Sequence, residues 1–189
     1  MFVGEPDAKG NPDIGKVRIA VKNKSVITAH RNRTNRFDDL SKVVVAVQSA
    51  GPEALLIATV LIGVADKVLN IPDHVHKFFR NRDDAFDETA LSRLSTGDET
   101  LFEEFHWAIS KHTRQDPAIS AALFRTLPTR VPAQTHLVAY DSVLLVPVFI
   151  DNVHPPERPR PNALGIDVDA DYRALLVRTC NAYTARYHM

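Results

Sequence analysis

The sequence lacks the usual features of secreted and membrane-spanning proteins. It has one cysteine, Cys180, which excludes an internal disulfide and is typical of a reducing compartment. Because Cys180 lies in an apolar-patterned segment, we expect it to be buried. The start of the chain has no apolar segment of the signal-peptide kind, and the most hydrophobic run, residues 54–65, is too short to span a bilayer. The sequence therefore predicts a cytoplasmic protein without membrane contact.

The chain also lacks net charge. Its 23 Lys and Arg are balanced by 23 Asp and Glu, so the total charge favours no class of partner. The distribution is uneven, however. Between Lys9 and Arg36 the sequence has eight Lys and Arg and a single acid, Asp13. A segment of this kind predicts contact with a polyanion.

Length and periodicity predict one α/β domain covering residues 1–189. A chain of this length can bury a substantial core. Residues 16–22 alternate as a half-buried strand, residues 37–50 have helical spacing, and residues 55–64 form an aliphatic run typical of a central strand. Strand, helix and buried strand in succession indicate mixed α/β layers.

Finer expectations follow for the first half of the chain. Residues 1–15 read as loop and residues 23–35 as a basic connection. In the first strand, Val17, Ile19 and Val21 should share one face, opposite Lys16, Arg18 and Lys22. In the helix, Asp38 and Asp39 should lie in the first turn, and Gly51-Pro52 should end it. Its apolar face should consist of Leu40, Val43, Val44 and Val47.

The second half gives a less regular pattern. Residues 100–111 and 118–127 are predicted to be helices, as are the terminal residues 171–187. Residues 137–140 and 143–150 are predicted strands, and Pro147 favours an edge position for the second. Residues 152–162 are proline-rich and predict an extended surface loop.

Polar side chains suited to a functional site are concentrated in residues 12–40. The sequence has no Gly-rich phosphate loop, no nucleotide-binding fingerprint and no motif order typical of a Ser-His-Asp catalytic triad. In sequence, Pro12-Asp13 and a short strand precede Lys22-Asn23-Lys24, Thr28-Ala29-His30 and Asn35-Arg36-Phe37-Asp38-Asp39-Leu40. This order resembles the active-site segment of the PD-(D/E)XK nuclease superfamily and the tail of some restriction-endonuclease-like members. In this register Lys24 matches the motif lysine, and Lys22 stands where the family has an acid.

The resemblance implies a fold and a catalytic site. The fold would be a restriction-endonuclease-like mixed central sheet flanked by helices; this chain has no room for the family's first helix and strand. The activity would be Mg²⁺-dependent DNA hydrolysis in restriction or anti-phage defence. Asp13 and the Asn23 carbonyl would hold Mg²⁺, and Lys24 would act on the attacking water. Lys22 would repel the ion at close range, which predicts weak or absent cleavage.

The resemblance also implies a DNA-contacting set, which consists of Thr28, His30, Arg31, Arg33 and Arg36. Several alternatives stay open. Asp13 on its own suits a turn, the arginines suit a solvated surface, and Asp38 or Asp39 could replace the missing metal ligand. The whole chain could be a DNA-binding module of the same fold without catalysis. It could also be a structural subunit that completes its sheet with another chain, a homodimer included.

Overall fold

Helices and strands both occur in the described part of the chain. The computed structural model describes residues 1–27, 30–70, 108–111, 113, 115–151, 154–159 and 163–187. Its regular elements, in chain order, are β1 (Phe2–Pro6), β2 (Pro12–Val26), α1 (Arg33–Ala50), β3 (Leu55–Gly63), β4 (Lys67–Asn70), β5 (Ala108–Lys111), α2 (Asp116–Phe124), β6 (Ser142–Val148) and α3 (Val168–Tyr187). Short 3-10 helices cover His30–Asn32 and Ala163–Gly165.

Among the described residues, the main sheet has four strands in the order β1-β2-β3-β6. β2, β3 and β6 are parallel, and β1 is antiparallel to β2. Strands β4 and β5 form a separate antiparallel pair. The α/β class with a mixed sheet and flanking helices is therefore confirmed. The first predicted strand pairs with the aliphatic strand β3, and α1 packs against both.

The principal core lies between the sheet and helices α1 and α2. Alternate residues of β3 point into it, because successive side chains of a strand face opposite sides. These residues pack with Leu40, Val44 and Val47 of α1 and with Phe124 of α2. The β3 members of this core are Leu56, Ala58, Val60 and Ile62. Leu55 and Ile57 are buried outside this cluster, so β3 is covered on both faces where it begins, as its continuous apolar sequence predicts.

A bulge in β2 changes the predicted alternation. Val3 of β1 pairs with Ile19, but the next residue, Gly4, pairs with Val17, which leaves Arg18 as an extra residue on β2. The prediction that Val17 shares a face with Ile19 is therefore wrong. Val17 instead joins Ala20 and Val26 in the core. Lys22 and Lys24, which follow Ala20 at steps of two, consequently face the side on which α1 packs.

Gly4 is required for this close approach. A Cβ atom at Gly4 would lie 2.4 Å from the Lys16 carbonyl oxygen and 2.9 Å from the Val17 Cα.

Other boundaries in the first half also differ from expectation. Residues 1–15 contain β1 and the start of β2 rather than a loop. All five residues of β1 are exposed, so the strand has no apolar alternation from which it could be recognised. Helix α1 begins at Arg33, four residues before the predicted start, and Asp38 and Asp39 therefore lie in its second turn. Polar residues open this helix, and helical spacing becomes visible only at the buried Leu40.

The second half gives a mixed outcome. Helices α2 and α3 and strand β6 are confirmed, and Pro147 does lie on an edge strand of the described sheet. Residues 108–111 form a strand where a helix was predicted for residues 100–111. Residues 100–107 lie outside the described part of the chain. Residues 137–140 are not a strand, apart from an isolated bridge at Tyr140.

Cys180 is exposed rather than buried. Within the described residues, no helix combines the length and hydrophobicity needed to cross a membrane.

A buried ionic cluster joins the beginning of β3, the approach to β6 and the end of α3. The Asp141 carboxylate accepts hydrogen bonds from Arg130 Nε at 3.2 Å, Arg186 Nη2 at 2.5 Å and the Leu56 backbone N–H at 2.8 Å. Arg130 also donates to four backbone carbonyls, those of Pro52, Ala54, Thr135 and Leu137. All three charged side chains are almost fully buried.

We expect Asp141→Ala to lower the free energy of unfolding by about 3–5 kcal/mol, because it leaves two buried guanidinium groups without their carboxylate. Urea denaturation would measure the change. The control is Asp38→Ala, which removes an exposed acid and should change stability by less than about 0.5 kcal/mol. Equal effects of the two substitutions would contradict a central role for the cluster.

Candidate nucleic-acid interface

Strand β2 holds the predicted catalytic residues far apart. Asp13 lies at its beginning, and Lys22 and Lys24 lie near its end, within one continuous strand. Eleven residues separate Asp13 from Lys24, which at about 3.3 Å per residue corresponds to roughly 30 Å or more. The structure therefore does not bring the carboxylate to the lysines.

Asp13 instead belongs to a solvent-exposed group of charges beside β1. Its Oδ1 accepts a hydrogen bond from the Gly15 N–H at 3.1 Å, as in an ordinary turn. Its Oδ2 lies 3.9 Å from Lys16 Nζ, and the same ammonium lies 3.8 Å from Glu5. Exposed pairs of this kind contribute little to stability and need no catalytic explanation.

The residues expected to hold Mg²⁺ do not fit a shared ion. Asp13 and Asn23 are ten residues apart in the continuous strand β2, which at about 3.3 Å per residue corresponds to roughly 30 Å. Among the described residues, no group of three or more His, Cys, Asp or Glu side chains is arranged to hold a metal.

Lys24 has a different carboxylate partner, Asp39 of α1. Its Nζ lies 2.6 Å from Asp39 Oδ2, and Arg36 Nη1 lies 3.7 Å from the same oxygen. The hydrogen bond from Lys24, together with the charges of Lys24, Arg36 and Lys42, holds the pKa of Asp39 below its ordinary value. One carboxylate is thus surrounded by three cations.

This arrangement defines what we call the α1–β2 basic surface, which consists of Lys22, Lys24, Arg36 and Lys42. Lys22 is two residues from Lys24 and shares its side of the strand. Lys22 is half-buried and has no ion-pair or hydrogen-bond partner in the described part of the chain. Arg36 and Lys42 are exposed on the helix. Positive charge on this surface exceeds what Asp39 can neutralise.

The other predicted DNA-contacting residues have separate positions. Arg31 is exposed just before α1 and has no partner among the described residues. Arg33 is bound to Asp116 of α2 at 3.2 Å and to the His30 carbonyl oxygen at 3.3 Å. Thr28 lies outside the described residues.

His30 is a core residue in this structure. The residue is only 1% exposed. Its Nδ1 lies 2.8 Å from Ser120 Oγ, and its Nε2 lies 3.0 Å from the Gly63 carbonyl oxygen. The ring therefore connects the start of α1 to α2 and to the end of β3. In this position the ring is not presented to a phosphate.

The backbone of β2 adds a feature that the sequence did not indicate. Val21 exchanges backbone hydrogen bonds with Met1, so its N–H and C=O point away from β3. Asn23 and Ser25, at steps of two, direct their backbone groups to the same side. Both residues are exposed, and within the described residues no strand pairs with them there. The basic surface therefore borders an open strand edge.

Sequence reasoning did not identify Lys42 as part of this surface, and it assigned Asp39 only as a helix-start acid or a replacement ligand. The signal available in the sequence was the spacing of Arg36, Asp39 and Lys42, which places them on one face of a helix.

Comparisons with protein-family models, curated proteins and solved structures gave no match. The nuclease resemblance thus depends on the quoted residues alone.

We expect Lys24→Met to raise the pKa of Asp39, because the substitution removes its closest hydrogen-bond donor and cation. A depressed carboxyl pKa stabilises the fold above the unfolded-state value of about 3.9, and this contribution is lost as pH falls through the folded-state pKa. Lys24→Met should therefore reduce the difference in stability between neutral and acidic pH.

The measurement is an NMR titration of the Asp39 carboxyl carbon. Arg31→Met is the matched control, since Arg31 makes no contact with Asp39. An Asp39 pKa that stays unchanged in Lys24→Met would show that the 2.6 Å pair does not control its ionisation.

Proposed function

We propose that this protein binds the phosphate backbone of DNA through the α1–β2 basic surface. The observation that carries the proposal is the excess of cations at Asp39. Lys24, Arg36 and Lys42 act on this one carboxylate, and Lys22 beside them has no partner among the described residues. Such an excess attracts a polyanion, and each phosphate neutralised releases condensed counterions.

The surface suits backbone contact better than base recognition. Lys22 and Lys24 are held along a strand, and Arg36 and Lys42 lie on the adjacent helix. Lysine presents a point charge with rotatable donors, which suits phosphate but gives little base discrimination. We therefore propose binding with strong salt dependence and weak sequence preference.

Hydrolysis of DNA is the second candidate, because the resemblance implies it and Lys24 does lie beside a carboxylate. In this arrangement the carboxylate is Asp39 rather than Asp13. An ammonium group 2.6 Å from Asp39 already occupies the position that a metal ion would need. DNA binding without cleavage is therefore the function that the geometry supports better.

We expect the triple substitution Lys22→Gln, Arg36→Gln and Lys42→Gln to reduce the slope of log affinity against log salt by about two to three units for duplex DNA. The reason is that up to three phosphate contacts are lost while the side chains keep much of their length. Fluorescence anisotropy with a labelled duplex at several salt concentrations would measure the slope.

A charge-matched control separates this surface from general electrostatics. Lys9→Gln, Arg158→Gln and Arg173→Gln remove three exposed cations elsewhere on the chain and should leave the slope nearly unchanged. Two equal slopes would exclude the α1–β2 basic surface as the binding site. His30→Ala should lower stability without changing the slope, since its ring is buried.

Cleavage assays with Mg²⁺ test the second candidate. We expect Asp13→Ala to have no effect on any cleavage, because Asp13 lies roughly 30 Å from Lys24. Asp39→Ala should abolish whatever cleavage a plasmid assay detects. Loss of activity in Asp13→Ala but not in Asp39→Ala would favour the original nuclease site and contradict the arrangement described above.

A further inference from the structure

The edges of the main sheet differ in how they resist pairing with another strand. Within the described part of the chain, β1 and β6 are the outer strands, and the late part of β2 is open as well. On β6, Pro147 removes a backbone donor, and every residue of that strand is at least partly buried. Beside the open part of β2, Lys22 and Lys24 place positive charge, which disfavours a further strand. These features protect β6 and the late part of β2.

The edge at β1 is apolar and exposed. Met1, Phe2 and Val3 are 75%, 57% and 47% exposed, and they are consecutive in sequence. Large apolar side chains on an edge strand favour the addition of another strand, because pairing removes them from water and satisfies backbone groups at the same time. The side chains of β1 therefore favour the pairing that the other edges resist.

Charge does not protect β1. Its one charged residue, Glu5, is paired with Arg18 at 3.2 Å and with Lys16 at 3.8 Å, both of them on the neighbouring strand β2. The proline of the strand, Pro6, is its last residue and leaves the exposed apolar residues unaffected. The features that commonly block an edge are thus neutralised or displaced here.

The backbone of Phe2 faces away from the sheet. Val21 exchanges backbone hydrogen bonds with Met1, at 2.9 and 3.0 Å, so the backbone groups of Met1 point towards β2. Backbone direction alternates along an antiparallel strand, so the N–H and C=O of Phe2, the next residue, point outward. No described strand pairs with them on that side. Phe2 therefore offers one donor and one acceptor to a further strand.

We propose that a second copy of this chain pairs with β1 in antiparallel orientation, about a twofold axis at Phe2. Phe2 would exchange two backbone hydrogen bonds with the partner's Phe2, and the two rings would lie side by side on one face of the joined sheets. On the opposite face, Met1 would lie opposite the partner's Val3. This register covers the exposed apolar residues of β1 and places no like charges opposite each other.

Two observations favour a second copy as the occupant of this edge. The same three apolar residues form both sides of the contact, as a twofold contact between identical chains requires. The chain has 23 basic and 23 acidic residues, so two copies do not repel each other through net charge. Because one short strand from each copy is smaller than the interface of a tight dimer, we expect a dimer that forms only at high protein concentration.

Sedimentation equilibrium of the full chain over a wide concentration range tests the proposal. We expect a monomer–dimer equilibrium whose dissociation constant rises at least tenfold in Phe2→Lys, because two ammonium groups would face each other across the axis. Val177→Lys is the matched control, since Val177 is an exposed apolar residue on α3 and should have no effect. A monomer at every concentration, or equal effects of the two substitutions, would overturn the proposal.

A second pair of variants tests the backbone contact. Phe2→Pro removes the outward N–H while the β1–β2 hydrogen bonds of Met1 remain, so it should abolish the dimer and leave the thermal unfolding of the monomer nearly unchanged. Phe2→Leu keeps both the N–H and an apolar side chain and should retain most of the dimer. Equal dimerisation of Phe2→Pro and Phe2→Leu would contradict strand pairing.

Crosslinking tests the position of the axis. In the proposed register the two copies of residue 2 have Cα atoms about 5.5 Å apart, a separation that a disulfide can bridge. Phe2→Cys combined with Cys180→Ser should therefore give a covalent dimer on mild oxidation. The control is the unaltered chain, whose exposed Cys180 lies on α3 and should crosslink much less. Equal yields of covalent dimer from the two proteins would exclude an axis at Phe2.

Discussion

The buried carboxylate of Asp141 is the interaction on which the arrangement of the later elements depends. It accepts hydrogen bonds from Arg130, from Arg186 and from the Leu56 backbone N–H near the start of β3. A loop, a strand and the last helix therefore share one acceptor group. The Arg130 N–H groups that do not bind Asp141 donate hydrogen bonds to nearby backbone carbonyls. A buried ion pair contributes less to net stability than to a unique geometry, because desolvation offsets much of the attraction. Here the fixed geometry is the placement of α3 beside β6.

Strand β2 determines where charge accumulates. Its early residues pair with the exposed hairpin strand β1, and its late residues pair only with β3 among the described strands. Acids near the hairpin, Glu5 and Asp13, neutralise Lys16 and Arg18. Near the other end, Asp39 faces Lys24, Arg36 and Lys42. The cations of this one sequence segment therefore form two groups in space. Acids neutralise the group near the hairpin, whereas the group near Asp39 keeps a net positive charge.

Periodicity predicted the buried elements well and the exposed ones poorly. The apolar spacing of α1, β3 and β6 follows directly from burial, so these elements were predictable. β1 was not, because none of its residues is buried, and the bulge at Arg18 could not be read from an alternation that looks regular in sequence. The relative positions of the predicted site residues were not predictable for a related reason. The order of Asp13, Lys22 and Lys24 along the chain does not tell whether a turn separates them, and here one strand contains all three. The Lys24–Asp39 contact depends on how α1 crosses β2, which no local pattern specifies.

The open edge of β2 has a consequence for behaviour at high protein concentration. The backbone groups of Asn23 and Ser25, which pair with no described strand on this side, are a template on which a second extended chain can add. Lys22 and Lys24 beside them repel an identical copy, since like charges on adjacent strands are unfavourable. This protection is electrostatic and therefore acts only within the screening length, which is about 8 Å at physiological ionic strength and about 3 Å at 1 M salt. Colloidal stability of this protein is thus tied to the same lysines that give the surface its positive charge, and a polyanion that neutralises them also removes the barrier between neighbouring copies.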